Sequence, residues 1–133
     1  MAAGVYSIWQ DHRLVYVGMS GRGRSKDQLE AVSLAGTKRV GLHTRLASHA
    51  SGRRSGDQFC VYVSDRLVLP NLSSRQIKTV AAGSASLDVL TRTFICEHLG
   101  FRFCITDDGQ SALSLEAECR AGALGGAPLF NPI

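Results

Sequence analysis

The chain has 133 residues, 44% of them hydrophobic, and a net charge of +4. That length suits one domain around one core, and the hydrophobic content excludes wholesale disorder. Residues 1–78 carry twelve Lys or Arg against five Asp or Glu and the remainder three against six, so the first half is the part that would attract phosphates.

The opening MAAGVYSIWQ lacks the basic and apolar regions of a secretory leader, and no apolar run approaches the roughly 20 residues that span a bilayer. The expectation is a cytoplasmic protein without a membrane partner. Residues 4–18 read GVYSIWQDHRLVYVG. Two β-prone runs, 5–9 and 14–18, flank four polar residues and predict a hairpin. Alternation puts Tyr6 with Ile8 on one face, and Leu14, Tyr16 and Gly18 together on one face of the second strand. A suitable register brings both phenols to one edge.

Residues 19–40 open as a Gly- and Arg-rich surface loop with Arg22, Arg24 and Lys26, followed by Lys38 and Arg39. Gly18–Ser25 nearly matches a phosphate-cradling P-loop, but Arg24 stands where the lysine belongs and is not its equivalent. A basic loop touching nucleic-acid phosphates is the more economical reading, beside a nucleotide hydrolase. Residues 41–50 predict a short helix with Leu42 and Leu46 inward. Arg45 and His49, one turn apart, border that stripe and would emerge at the rim of the core. Arg53 and Arg54 follow in a polar turn. Residues 58–64, QFCVYVS, read as a buried third strand; 67–86 give no clear pattern.

A helix is predicted from Ser86 as N-cap to a stop at Gly100, then a strand over 101–106 and a turn at 107–109. Ser111 would cap a helix over 112–121 with Ala112, Leu115 and Cys119 inward. Glu116 lies nearer that stripe than Glu118 does, so it is better placed to reach a partly buried site. The Gly- and Pro-rich tail holds Asn131 between Phe130 and Pro132, which should anchor it on the core. The four cysteines, 60, 96, 104 and 119, form no CxxC pair and read as buried reduced thiols, not a zinc site or disulfide framework.

GVY, YVG ten residues on, Arg45-x-x-x-His49, Leu115-Glu116 and Pro128-x-x-Asn131, in that order over nearly the whole chain, resemble the GIY-YIG nuclease family. The resemblance implies an α+β fold with a small central three-stranded antiparallel sheet flanked by helices, the strand at 58–64 completing the sheet. It also implies metal-dependent endonuclease activity on DNA (or RNA) with Mg²⁺ or Mn²⁺. Glu116 would hold the metal, with Glu118 the alternative. Arg45 would stabilise the transition state and Tyr16 act as general base with Tyr6 orienting it, or the reverse. His49 would position the water or share the proton transfer, and Asn131 would hold phosphate or the metal's surroundings. Arg22, Arg24, Lys26, Lys38, Arg39, Arg53 and Arg54 would bind the nucleic-acid backbone. The alternative is a nucleic-acid-binding module on the same fold without catalysis.

Overall fold

The hairpin forms because two β-branched, aromatic-rich runs meet across a tight polar turn. In the computed structural model, which describes residues 2–35 and 41–133, β1 (Ala3–Gln10) pairs antiparallel with β2 (Arg13–Ser20) across Asp11 and His12. Asp11 takes a left-handed backbone (φ 52°), which Asp tolerates better than most residues. A third strand, β3 (Leu99–Thr106), lies beside β1, so the sheet order is β2-β1-β3. The protein is thus α+β with a three-stranded antiparallel sheet and helices around it.

The helices are α1 (Lys26–Ala35), α2 (Leu42–Ala50), α3 (Gln58–Val63), α4 (Ser74–Ala81), α5 (Leu87–His98) and α6 (Gly109–Glu118). Contacts gather them into two compact units, one of residues 1–46 with 100–133 and one of residues 47–99. In the first, Ala3, Val5, Leu14 and Val17 of the hairpin pack with Leu29 of α1 and with Ala112 and Cys119 at α6. In the second, α3 and α5 bury Phe59, Cys60, Val63, Thr91 and Ile95.

Three expectations are corrected. Residues 58–63 are a helix, α3, and β3 supplies the third strand. Asp57 is the reason: its side chain accepts from the backbone N–H groups of Phe59 and Cys60 and starts a helix where the apolar run alone suggested a strand. Secondly, Asp108 caps α6, accepting from Ser111 N–H, so Ser111 is the donor and not the cap. Thirdly, Leu14 does not share a face with Tyr16. Tyr16 pairs with Ile8 but Leu14 pairs with Trp9, so Val15 is an extra residue in β2. That bulge turns Leu14 to the Val5 and Val17 side.

The expectation of four buried thiols is also corrected, for two of them: Cys60 and Cys119 are buried, whereas Cys96 and Cys104 are exposed. Burial, reinforced by the nearby Asp57 charge, pushes the Cys60 thiol up to about 12, and burial also raises Cys119. Thiol titration of the native protein at pH 8 should therefore show Cys96 and Cys104 reacting quickly and Cys60 only on unfolding. Fast modification of Cys60 in the native state would mean that its surroundings are open.

Among the described residues, no helix is long and apolar enough to cross a membrane.

Candidate active site

Register explains the two motif tripeptides. Tyr6 faces Gly18 and Ile8 faces Tyr16, so the phenols sit diagonally on one face of the hairpin with ring centroids 6.3 Å apart. Both glycines are demanded by close approach. A Cβ at Gly18 would fall on the Tyr6 hydroxyl and against the Tyr16 ring, and a Cβ at Gly4 would fall on the Cys104 carbonyl oxygen of β3. Gly18→Ala should therefore force the Tyr6 ring aside and cost about 1–3 kcal/mol, as overpacking does. An unchanged melting temperature with an unshifted Tyr6 resonance would contradict this geometry. Tyr6 is only 2% exposed, whereas Tyr16 is half-buried.

Asn131 holds the second tyrosine strand. Its Oδ1 accepts from Val17 N–H (3.2 Å), and its Nδ2 donates to Val17 C=O (2.6 Å). The amide thus stands in for a neighbouring strand at the residue between Tyr16 and Gly18. Arg120 fixes the tail in turn, its Nε donating to Asn131 C=O at 2.8 Å. Phe130 is buried as expected, but Pro132 is exposed. The amide's bonds go to backbone, so its role is to position β2.

Glu116 is half-buried on α6 and Glu118 is exposed. The Glu116 carboxylate makes no hydrogen bond or ion pair with a described residue. Its helix packs through Ala112 and Cys119 on the Val5 and Val17 face, opposite the face that carries the phenols. The structure brings the phenols together but does not link Glu116 to them by a hydrogen bond. A lone carboxylate that leaves most positions to water is a donor type Mg²⁺ accepts. No cluster of three or more His, Cys, Asp or Glu stands together among the described residues.

On α2 the expected pair separates by exposure: Arg45 is exposed and His49 is 4% exposed. The Arg45 guanidinium has no acidic partner among the described residues. His49 is built into a polar cluster that sequence reasoning missed. Its Nδ1 lies 2.8 and 2.9 Å from the two carboxylate oxygens of Asp57, and its ring packs on Phe59 with centroids 4.7 Å apart. Ser48 Oγ donates to the same carboxylate at 2.9 Å. Burial works to raise the Asp57 pKa, but the hydrogen bond and charge of His49, with bonds from Ser48 and the Cys60 N–H, bring it below the ordinary carboxylate value. The available signal was Asp57 itself, an N-cap residue type immediately before an apolar run.

Of the expected phosphate-binding residues, Arg22, Arg24, Lys26 and Arg53 are exposed. Arg54 is engaged by Asp88, Nε to Oδ1 at 2.6 Å, so its charge is largely spent within the protein. Lys38 and Arg39 lie outside the described residues. Residues 18–25 leave β2 and enter α1 through a turn closed by Arg24 N–H to Gly21 C=O. Ser25 and Gln28 then cap α1 reciprocally. With an antiparallel sheet and a helix at 58–63, the parallel strands that a P-loop requires are missing among the described residues.

No protein-family model matches the chain, and comparison with curated proteins and with solved structures finds no match.

Proposed function

We propose that this chain is a metal-dependent endonuclease that hydrolyses phosphodiester bonds in DNA. The observation that carries the reading is the diagonal pair of Tyr6 and Tyr16, with both motif glycines required by close approach. A plain aromatic hairpin does not need Gly opposite Tyr. The unequal burial of the phenols supports their roles. Tyr16, half-buried, can meet a water molecule and accept its proton. Tyr6, enclosed over Gly18, orients its neighbour.

A phenol ordinarily loses its proton near pH 10, so Tyr16 needs adjacent positive charge to act as a base. Arg45 is exposed and lacks an acidic partner among the described residues, and it supplies fixed charge to the non-bridging phosphate oxygens. Glu116 is the residue that would hold Mg²⁺ or Mn²⁺, which when bound polarises the phosphate and stabilises the leaving oxygen. His49 is engaged through Nδ1 by Asp57. Asn131 keeps β2, and with it Tyr16, in place.

Purified protein incubated with supercoiled plasmid should give nicked circles in Mg²⁺ and none in EDTA. Binding without cleavage under both conditions would make the chain a nucleic-acid-binding module.

A further inference from the structure

The sheet has two edges, and the chain closes one of them. Along β2 the tail adds bonds from Leu129 N–H to Leu14 C=O and from Phe130 N–H to Val15 C=O, besides the two from Asn131 to Val17. β3 forms the other edge, and no backbone bond from its outer side to another described residue covers it. Phe101, Phe103 and Ile105 alternate onto one face of this strand and are 58%, 55% and 63% exposed. The two phenyl rings stack with centroids 6.4 Å apart.

Edge strands are ordinarily guarded by Lys, Pro, a bulge or a covering segment. β3 has neither Lys nor Pro. Its single charge, Arg102, lies over the Trp9 ring, 5.2 Å from the centroid, and does not guard the Phe face.

We propose that β3 pairs edge to edge with β3 of a second copy of this chain, antiparallel about a twofold axis at Phe103, giving one continuous six-stranded sheet. The strand is complementary to itself in that register. Phe101 then faces Ile105 of the second copy, Phe103 faces its equivalent, and Arg102 faces Cys104. Each exposed apolar side chain gains an apolar partner. An axis at Arg102 would oppose like charges, and an axis at Cys104 would set Phe101 against Asp107. Both registers are worse.

The area is adequate for a concentration-dependent dimer. Each of the three side chains exposes on the order of 100 Å², or about 300 Å² per copy. Edge pairing covers the flank of each side chain and leaves its outer face in water, so with the paired backbone the buried total stays below the roughly 1,000 Å² of a stable interface, which suits a weak dimer. A nucleic-acid strand stacking on the rings fits less well. Glu97, Asp107 and Asp108 flank the strand against the single positive charge of Arg102, so a polyanion meets a locally acidic edge.

The proposal is independent of the nuclease reading, and its test is the mass of the full chain in solution. Sedimentation velocity from low-micromolar to near-millimolar concentration should show a reversible monomer–dimer equilibrium. Phe103→Lys sets two ammonium groups on the axis and should remain monomeric with an unaltered melting temperature, since position 103 is largely exposed. In a Cys96→Ser, Cys104→Ser background, Phe103→Cys should form an oxidised dimer readily, because directly opposed residues on paired strands approach disulfide geometry. Phe101→Cys should not, because its counterpart is Ile105. A wild-type chain that stays monomeric throughout overturns the proposal, as does a Phe103→Lys variant that still dimerises. Equal crosslinking at positions 101 and 103 would refute the register. If the wild type is monomeric and Phe103→Ala loses affinity for single-stranded DNA, the face is a base-stacking platform instead.

Discussion

Glu116→Gln is expected to leave plasmid DNA uncut in Mg²⁺ while binding it as tightly as the wild type or slightly more so. The substitution keeps the shape of the side chain and removes the one carboxylate assigned to the metal. It also removes a negative charge near the phosphates, which offsets the loss of the metal's own contact in ground-state binding. Tyr16→Phe removes a hydroxyl and nothing else, so fold and affinity should survive while the chemical step slows about 10²- to 10⁴-fold. Arg45→Ala should weaken both binding and turnover, because its charge acts on the phosphate in the ground state and the transition state alike. Binding measured in Ca²⁺ and cleavage in Mg²⁺ separate the two effects. Glu116 is the decisive position because α6 packs on the sheet face opposite the phenols. Nicking by Glu116→Gln at the wild-type rate would take the metal role from Glu116 even if Tyr16→Phe behaves as expected.

What could be read from the sequence was the part governed by local rules. The hairpin follows from strand propensity and a polar turn, α5 from Ser86 and its apolar spacing, and β3 from the FRFCIT run before an Asp-Asp-Gly turn. Residues 58–63 failed because a short apolar run fits a buried strand or a buried helix, and the deciding residue, Asp57, acts through caps and a side-chain cluster. Leu14 failed for a different reason. One extra residue, Val15, reverses the faces beyond it, and the bulge is set by strand pairing. Within the candidate site the diagonal of Tyr6 and Tyr16 was legible, as was the greater burial of Glu116 over Glu118. The bonding of Asn131 to Val17, 114 residues away, was not. No local pattern encodes which edge of a sheet a tail will close. The Asp57–His49 pair, eight residues apart on different elements, was hidden for the same reason.

Asp57→Ala should be the most destabilising single change among the site residues. Asp57 is buried, and its carboxylate accepts from Phe59 and Cys60 N–H, from Ser48 Oγ and from His49 Nδ1. Removing it takes away a helix N-cap, about 1 kcal/mol, and leaves buried donors unsatisfied at about 1–3 kcal/mol each. A total of about 3–5 kcal/mol, like that for breaking a buried pair, is expected. The melting temperature should drop by on the order of 10 °C. Asp57→Asn should fall between, since its remaining oxygen can still cap α3 while its NH₂ cannot accept from Ser48 and His49. The pH dependence follows in sign. The folded-state pKa of Asp57 is lowered, so the stability it contributes is fully present above the unfolded value of about 3.9 and is lost as pH falls through the folded value. Wild-type and Asp57→Asn melting temperatures should therefore differ most at neutral pH and converge below that window. Hydrogen exchange should show the loss first at the amides of Phe59 and Cys60, which the carboxylate holds. If Asp57→Ala melts within about 2 °C of the wild type at pH 7, the carboxylate does not organise α3.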